Sequence, residues 1–214
     1  MVKYLSLFVV LVVLGSFSMP QKKILIIGDS ISIGYTPFVK EALQDKAIVK
    51  HNAGNAQHTG TGLLKLDEWI GDEEWDIIQF NWGLWDLCYR HDDSKVQGKR
   101  DKTNGKQTFS IEEYEKNISE LVLRLKQTNA KLIFVTTSYV PEGEAGRFAG
   151  DDFKFNRVAK KVMKENNVLV NDINKDSKKI HKKYKKADGD VHYTKEGYKL
   201  LSAKIIETLE KQLN

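Results

Sequence analysis

A single cysteine, Cys88, stands in the 214 residues, so no internal disulfide and no cysteine-built zinc or iron-sulfur site can form. Only three prolines occur, which excludes a proline-rich linker protein. A dominant charge is missing too. The 34 basic residues are interspersed with 29 acidic ones, and the net charge of +5 is joined by no nucleic-acid-binding motif, so nucleic acid is not an expected partner. The apolar stretch from Tyr4 to Leu14 falls short of the roughly 20 residues of a membrane span. What remains is a soluble globular protein, with 41% hydrophobic and 29% charged residues and a length suited to one well-buried domain.

The first residues read as an address. Lys3, the apolar stretch and the small residues Gly15, Ser16 and Ser18 follow the order of a secretory signal, residues 1–18, with cleavage near Ser18. The protein is therefore expected to be exported, to a periplasm or the exterior, with no stable membrane insertion after cleavage. An uncleaved N-terminal anchor is the alternative. The folded domain is expected over residues 21–214.

Within it, Lys23 to Ile27 is a continuous apolar run suited to a central strand covered on both faces, ending at Gly28-Asp29-Ser30. Thr36-Pro37 reads as a cap followed by a first-turn proline, opening a helix through about Lys46. Further strands are expected at 47–51, 75–80, 131–136 and 167–171, with a short helix at 63–70. Ser110 and Glu113 form a capping box ahead of an apolar stripe from Ile111 to Leu125. Helices are expected around Phe155 to Met163 and after Thr194. Alternating strands and helices imply right-handed crossovers: an α/β fold with a central, mostly parallel sheet of about five strands and helices on both sides. Arg90 to Thr108 reads as a lid or binding loop or, preferred slightly, a mobile surface insertion. The lysine-dense stretch 175–186 reads as a solvated helix face.

In such a sheet, ligands bind beyond the carboxyl ends of the strands. Ser30 follows the first strand, Gly54 and Asn55 the second, and Asn81 with Gly83 to Asp86 the third. His192 precedes the last helix, in Asp188-Gly-Asp190-Val-His192. A serine hydroxyl needs a base to become a nucleophile, histidine has the proton affinity for that task, and a carboxylate commonly orients the base. No metal site is indicated, since His51 and His58 lack partners at ligand spacing.

Gly28-Asp29-Ser30-Ile31-Ser32, Asn52-Ala-Gly54, Asn81-Trp-Gly-Leu-Trp-Asp86 and the terminal Asp190-Val-His192 together resemble, in order, the blocks of the SGNH or GDSL hydrolases. The stretches Asp76 to Asp86 and Asp190 to Gly197 resemble a secreted bacterial branch of that family. The resemblance implies a flavodoxin-like three-layer α/β/α sandwich and a cofactor-free acyl-enzyme mechanism. Ser30 would be the nucleophile, His192 the base and Asp190 its orienter, with Asp188 as the other candidate for that last role. The Ser30 amide, the Gly54 region and the Asn81 side chain would face the oxyanion, with Asn55 as a substitute donor. Two departures stand out. Trp85 occupies the place of the family's third-block asparagine, and Gly189 the place of the aspartate three residues before histidine. The implied function is an exported serine esterase cleaving a small-molecule or glycan ester, with O-acetyl groups on carbohydrate as one class and Trp85 lining the substrate site. The alternative is a catalytically weak carbohydrate-binding protein on the same scaffold.

Overall fold

The computed structural model describes residues 21–213; the segment read as a secretory signal lies outside the described residues. Five parallel strands, β1 (Lys22–Ile27), β2 (Ala47–His51), β3 (Ile77–Phe80), β6 (Lys131–Val135) and β7 (Leu169–Asn171), form one sheet in the order β2-β1-β3-β6-β7. A two-residue antiparallel ribbon, β4 (Tyr89–Arg90) with β5 (Lys106–Gln107), stands apart from it. The helices are α1 (Ser30–Leu43), α2 (Thr59–Ile70), α3 (Ile111–Leu125), α4 (Asp151–Glu165), α5 (Asn174–Tyr184) and α6 (Lys195–Leu213).

The layering follows from the direction of travel along the sheet. From β1 the chain steps outward to β2, then returns past β1 to β3 and onward to β6 and β7. Right-handed crossovers place helices on opposite faces when that direction reverses. Accordingly α1 packs with α6, and α6 with α5, in one layer, while α2, α3 and α4 pack successively in the other. The expected three-layer α/β/α sandwich is the observed fold. Ile24, Leu25, Ile26 and Ile27 are all buried, as are all four residues of β3, because both faces of the central strands are covered. The reversal leaves a crevice at the carboxyl ends of β1 and β3, the usual ligand position in open α/β sheets.

Two sequence expectations need correction. The first helix begins at Ser30, six residues before Thr36, because the Asp29 carboxylate accepts the Ile31 amide at 2.9 Å and caps the helix directly after β1. Thr36 lies inside α1, its hydroxyl donating to the Ser32 carbonyl, and Pro37 is interior. Secondly, residues 90–108 are tied down. Tyr89 N donates to Gly146 O at 2.7 Å, Lys102 N to Ala145 O at 2.9 Å, and β4 pairs with β5. The capping box at Ser110 and Glu113 forms as read. The lysines of α5 are exposed, while its Ser177 and His181 are buried.

Asp86, the last residue of the third block, is fully buried. One of its oxygens accepts both the amide and the hydroxyl of Thr59, and the other has no partner among the described residues. Burial outweighs the Thr59 hydrogen bonds and pushes its pKa up to about 7. A carboxyl raised in the folded state gives its full stability below the ordinary carboxylate range, near pH 4, and that contribution is lost as pH climbs through about 7. Asp86→Asn keeps the acceptor for Thr59 without the charge. Its melting temperature is expected to exceed that of the parent by several degrees near pH 8 and to match it near pH 4, by calorimetry at both pH values. A variant destabilised equally at both would contradict titration of Asp86 between those pH values.

Candidate active site

Ser30 opens α1 at the end of β1, and His192 sits on the short connection between α5 and α6, 162 residues away. The Ser30 hydroxyl and His192 Nε2 lie 2.9 Å apart. On the far side of the ring, Nδ1 is 2.6 Å from Asp190 Oδ1, which also accepts the His192 backbone amide at 3.0 Å. A carboxylate can only accept, so Nδ1 carries the proton and Nε2 is left as the acceptor for the serine hydroxyl. Burial pushes the Asp190 pKa up, but the His192 amide, the His192 ring and its charge hold it below the ordinary carboxylate range. Asp188 is exposed and pairs with Lys185 at 2.5 Å.

The connection carrying His192 is clamped from behind. His181 Nε2 donates to the Asp190 carbonyl at 2.6 Å, and the His181 ring meets Tyr139 and Tyr193 edge to face. Lys186 N donates to His192 O and Thr194 N to Tyr184 O, which stitches the connection to the end of α5. Sequence reading overlooked His181. Its position one helical turn before the end of α5 gives no signal until the loop folds back over it.

Beside the Ser30 hydroxyl opens a cleft of about 360 Å³, lined in part by Asn55, Trp85, Arg90, Arg100 and Arg147. Ser30, as the first residue of α1, has no intrahelical carbonyl for its amide, so that donor is available at the cleft. Asn55 Oδ1 accepts the Gln57 amide at 2.8 Å; because that partner is a donor, the atom facing it must be oxygen, and Nδ2 is the free end. Asn55 thus brings an amide donor to the cleft. Residues 90–108, read as a mobile surface insertion, instead supply Arg90, Gln97, Gly98 and Arg100 to its wall.

Two of the expected oxyanion contributors lie elsewhere. Asn81 donates its side-chain amide to the Val135 carbonyl at 2.7 Å and faces a void of only about 10 Å³ between strand ends. The carboxyl end of β6 leaves that carbonyl in need of a donor, and Asn81 meets the need. Gly54 is exposed at φ +68°, with its carbonyl accepting from Asn52 Nδ2, so it shapes the turn and leaves the cleft to Asn55. Trp85 does line the cleft, half-buried, with the Arg90 guanidinium over its ring. Trp82 is core, fully buried and donating to Ala56 O. Gly83, at φ +151°, sits where a Cβ would come within 2.0 Å of the Thr137 hydroxyl, so only glycine fits between β3 and the loop after β6.

His51 and His58, the two weighed as metal ligands, have structural partners. His51 bonds to Ser32, and His58 caps α2 by accepting the Thr61 amide; burial lowers the pKa of both. Cys88 is buried.

No family model matches the sequence, and no curated protein matches it. Solved structures do match. An acetyl xylan esterase is 18% identical with a TM-score of 0.69, over 87% of this chain and 99% of that one. A lipase/acylhydrolase from Enterococcus faecalis is 19% identical with a TM-score of 0.70, over 89% of this chain and 96% of that one. An acetylxylan esterase from Geobacillus stearothermophilus is 18% identical with a TM-score of 0.67, over 90% and 94% respectively. The sheet order, the layering and these likenesses together show that this chain shares the three-layer α/β/α fold of those esterases and that acylhydrolase.

Proposed function

We propose that the protein is an exported serine esterase that removes short acyl groups, acetyl among them, from a carbohydrate or another small hydroxyl compound. The observation that carries this reading is the unbroken hydrogen-bond relay from Ser30 through His192 to Asp190, opening on a cleft of small-molecule size. The solved esterases of like fold support the ester as the bond cleaved, and their xylan substrates support a carbohydrate carrier. Export is supported by Lys3 and the apolar stretch behind it.

In the reaction, Ser30 Oγ attacks the acyl carbonyl while its proton passes to His192 Nε2. The charge left on the imidazolium is stabilised by Asp190, which also holds the ring in the productive tautomer. The negative oxygen of the tetrahedral intermediate is met by the Ser30 amide and Asn55 Nδ2. His192 then gives the proton to the departing alcohol, leaving an acyl-serine. Water attacks that ester, His192 takes its proton, and collapse of the second intermediate releases the acid and returns the proton to Ser30.

The test is release of free acid from para-nitrophenyl acetate and from O-acetylated oligosaccharides. Acetate appearing from both is the expected result; a protein that frees no acid from any ester contradicts the reading. For the oxyanion donor, Asn55→Ala is expected to lower kcat by about 10²-fold with KM little changed, the behaviour of a contact made chiefly in the transition state. Steady-state kinetics read this directly, and an unchanged kcat removes Asn55 from that role.

A further inference from the structure

Three arginines reach the cleft that holds Ser30, and their guanidinium groups are not equally occupied. Arg147 is almost wholly buried, with Nε donating to Leu84 O at 2.6 Å and one amino group to Glu144 Oε1 at 3.0 Å. Arg100 donates to that same Glu144 oxygen at 2.5 Å and to Gln97 O at 3.0 Å. Glu144 is itself fully buried, and its second oxygen accepts the Gly146 amide. One carboxylate therefore serves two cations.

Arg90 has none. Among the described residues it makes no ion pair; its side chain donates only to the Gly98 carbonyl, and its guanidinium lies 4.3 Å from the centre of the Trp85 ring. The remaining carboxylates near the cleft are committed, Asp190 to His192 and Asp29 to the cap of α1. A structural role accounts for Arg147 and for one edge of Arg100. It does not account for a half-buried cation at a cleft wall with donors to spare, since desolvating a charge without a partner costs free energy. The stack on Trp85 fixes the plane of the fork, which is the arrangement that receives a carboxylate through two parallel hydrogen bonds.

We infer that Arg90, backed by Arg100, is a specificity-determining residue that binds a carboxylate of the substrate, so that the preferred substrate is an anionic ester. Ser30 and Arg90 line the same cleft of about 360 Å³, at the small end of ligand sites, so the negative group and the scissile ester belong to one compact molecule or to one unit of a polymer. The inference rests on the esterase reading and narrows it from acyl esters in general to acyl esters carrying a carboxylate.

Two pairs of probes locate the charge. Mono-para-nitrophenyl succinate against para-nitrophenyl butyrate places it on the acyl side; para-acetoxybenzoate against its methyl ester places it on the alcohol side. In at least one pair the charged ester is expected to have the higher kcat/KM by roughly tenfold or more, as a charge-assisted hydrogen bond supplies. That preference is expected to shrink toward unity in Arg90→Gln, to be partly kept in Arg90→Lys, and in the unmodified protein to fall as salt is raised to about 0.5 M. The salt series needs no variant and so is untouched by misfolding. Neutral esters turned over as well as charged ones in both pairs, with Ser30-dependent activity, would overturn the inference and leave the esterase reading standing. If no ester is cleaved, calorimetric binding of succinate and para-hydroxybenzoate decides: binding that Arg90→Gln abolishes keeps the anion site without the esterase, and no binding removes both.

Discussion

Ser30→Ala and His192→Ala are each expected to lower kcat for ester hydrolysis by about 10⁴-fold or more, and the double variant to cost little beyond either single one. The expectation follows from the 2.9 Å contact between the two side chains, which would make the proposed nucleophile and base a single device. Without the imidazole the hydroxyl keeps its proton at neutral pH; without the hydroxyl the imidazole has only water to activate. Residual turnover would come from the cleft and the donors at the oxyanion position. Circular dichroism and melting of each variant separate loss of chemistry from loss of fold. Strictly multiplicative effects of the two substitutions would show that the residues act independently.

The second large effect is expected at Asp190, the orienting carboxylate of the proposed mechanism. Asp190→Asn places an amide 2.6 Å from His192 Nδ1, where the nitrogen can favour the unproductive tautomer, and removes the charge that stabilises the imidazolium. A loss of about 10³- to 10⁴-fold in kcat is expected, with KM changed far less. Asp188→Asn is expected to be close to neutral, because that side chain is exposed and its partner is Lys185. The two variants, assayed side by side, distinguish orientation from general negative charge near the loop. Equal losses would contradict the assignment.

The sheet was legible in the sequence because its central strands are mostly apolar runs such as Ile24 to Ile27, as burial on both faces favours. Ser30 and His192 were legible for a different reason. Topology sends every strand's carboxyl end to one edge, so residues placed after strands converge whatever their separation along the chain. The start of α1 was misplaced because Thr36-Pro37 carries a strong local cap signal, while the cap used, Asp29, is set by the turn out of β1. Asn81 was misassigned because which way a strand-end side chain turns depends on a carbonyl supplied by β6, 54 residues later. The arginine wall was invisible for the same kind of reason. Arg90, Arg100 and Arg147 look like ordinary surface charge until the ribbon β4-β5 and the loop after β6 lock together.

The central claim is that His192 activates the Ser30 hydroxyl for attack, and a fluorophosphonate probe tests it most directly, since such reagents react with an activated serine far faster than with an ordinary one. The account predicts one equivalent of label per protein chain, mapped by mass spectrometry to the peptide containing Ser30, and almost no labelling in His192→Ala over the same time. Labelling elsewhere, no labelling at all, or labelling of Ser30 at an undiminished rate without His192 would contradict it.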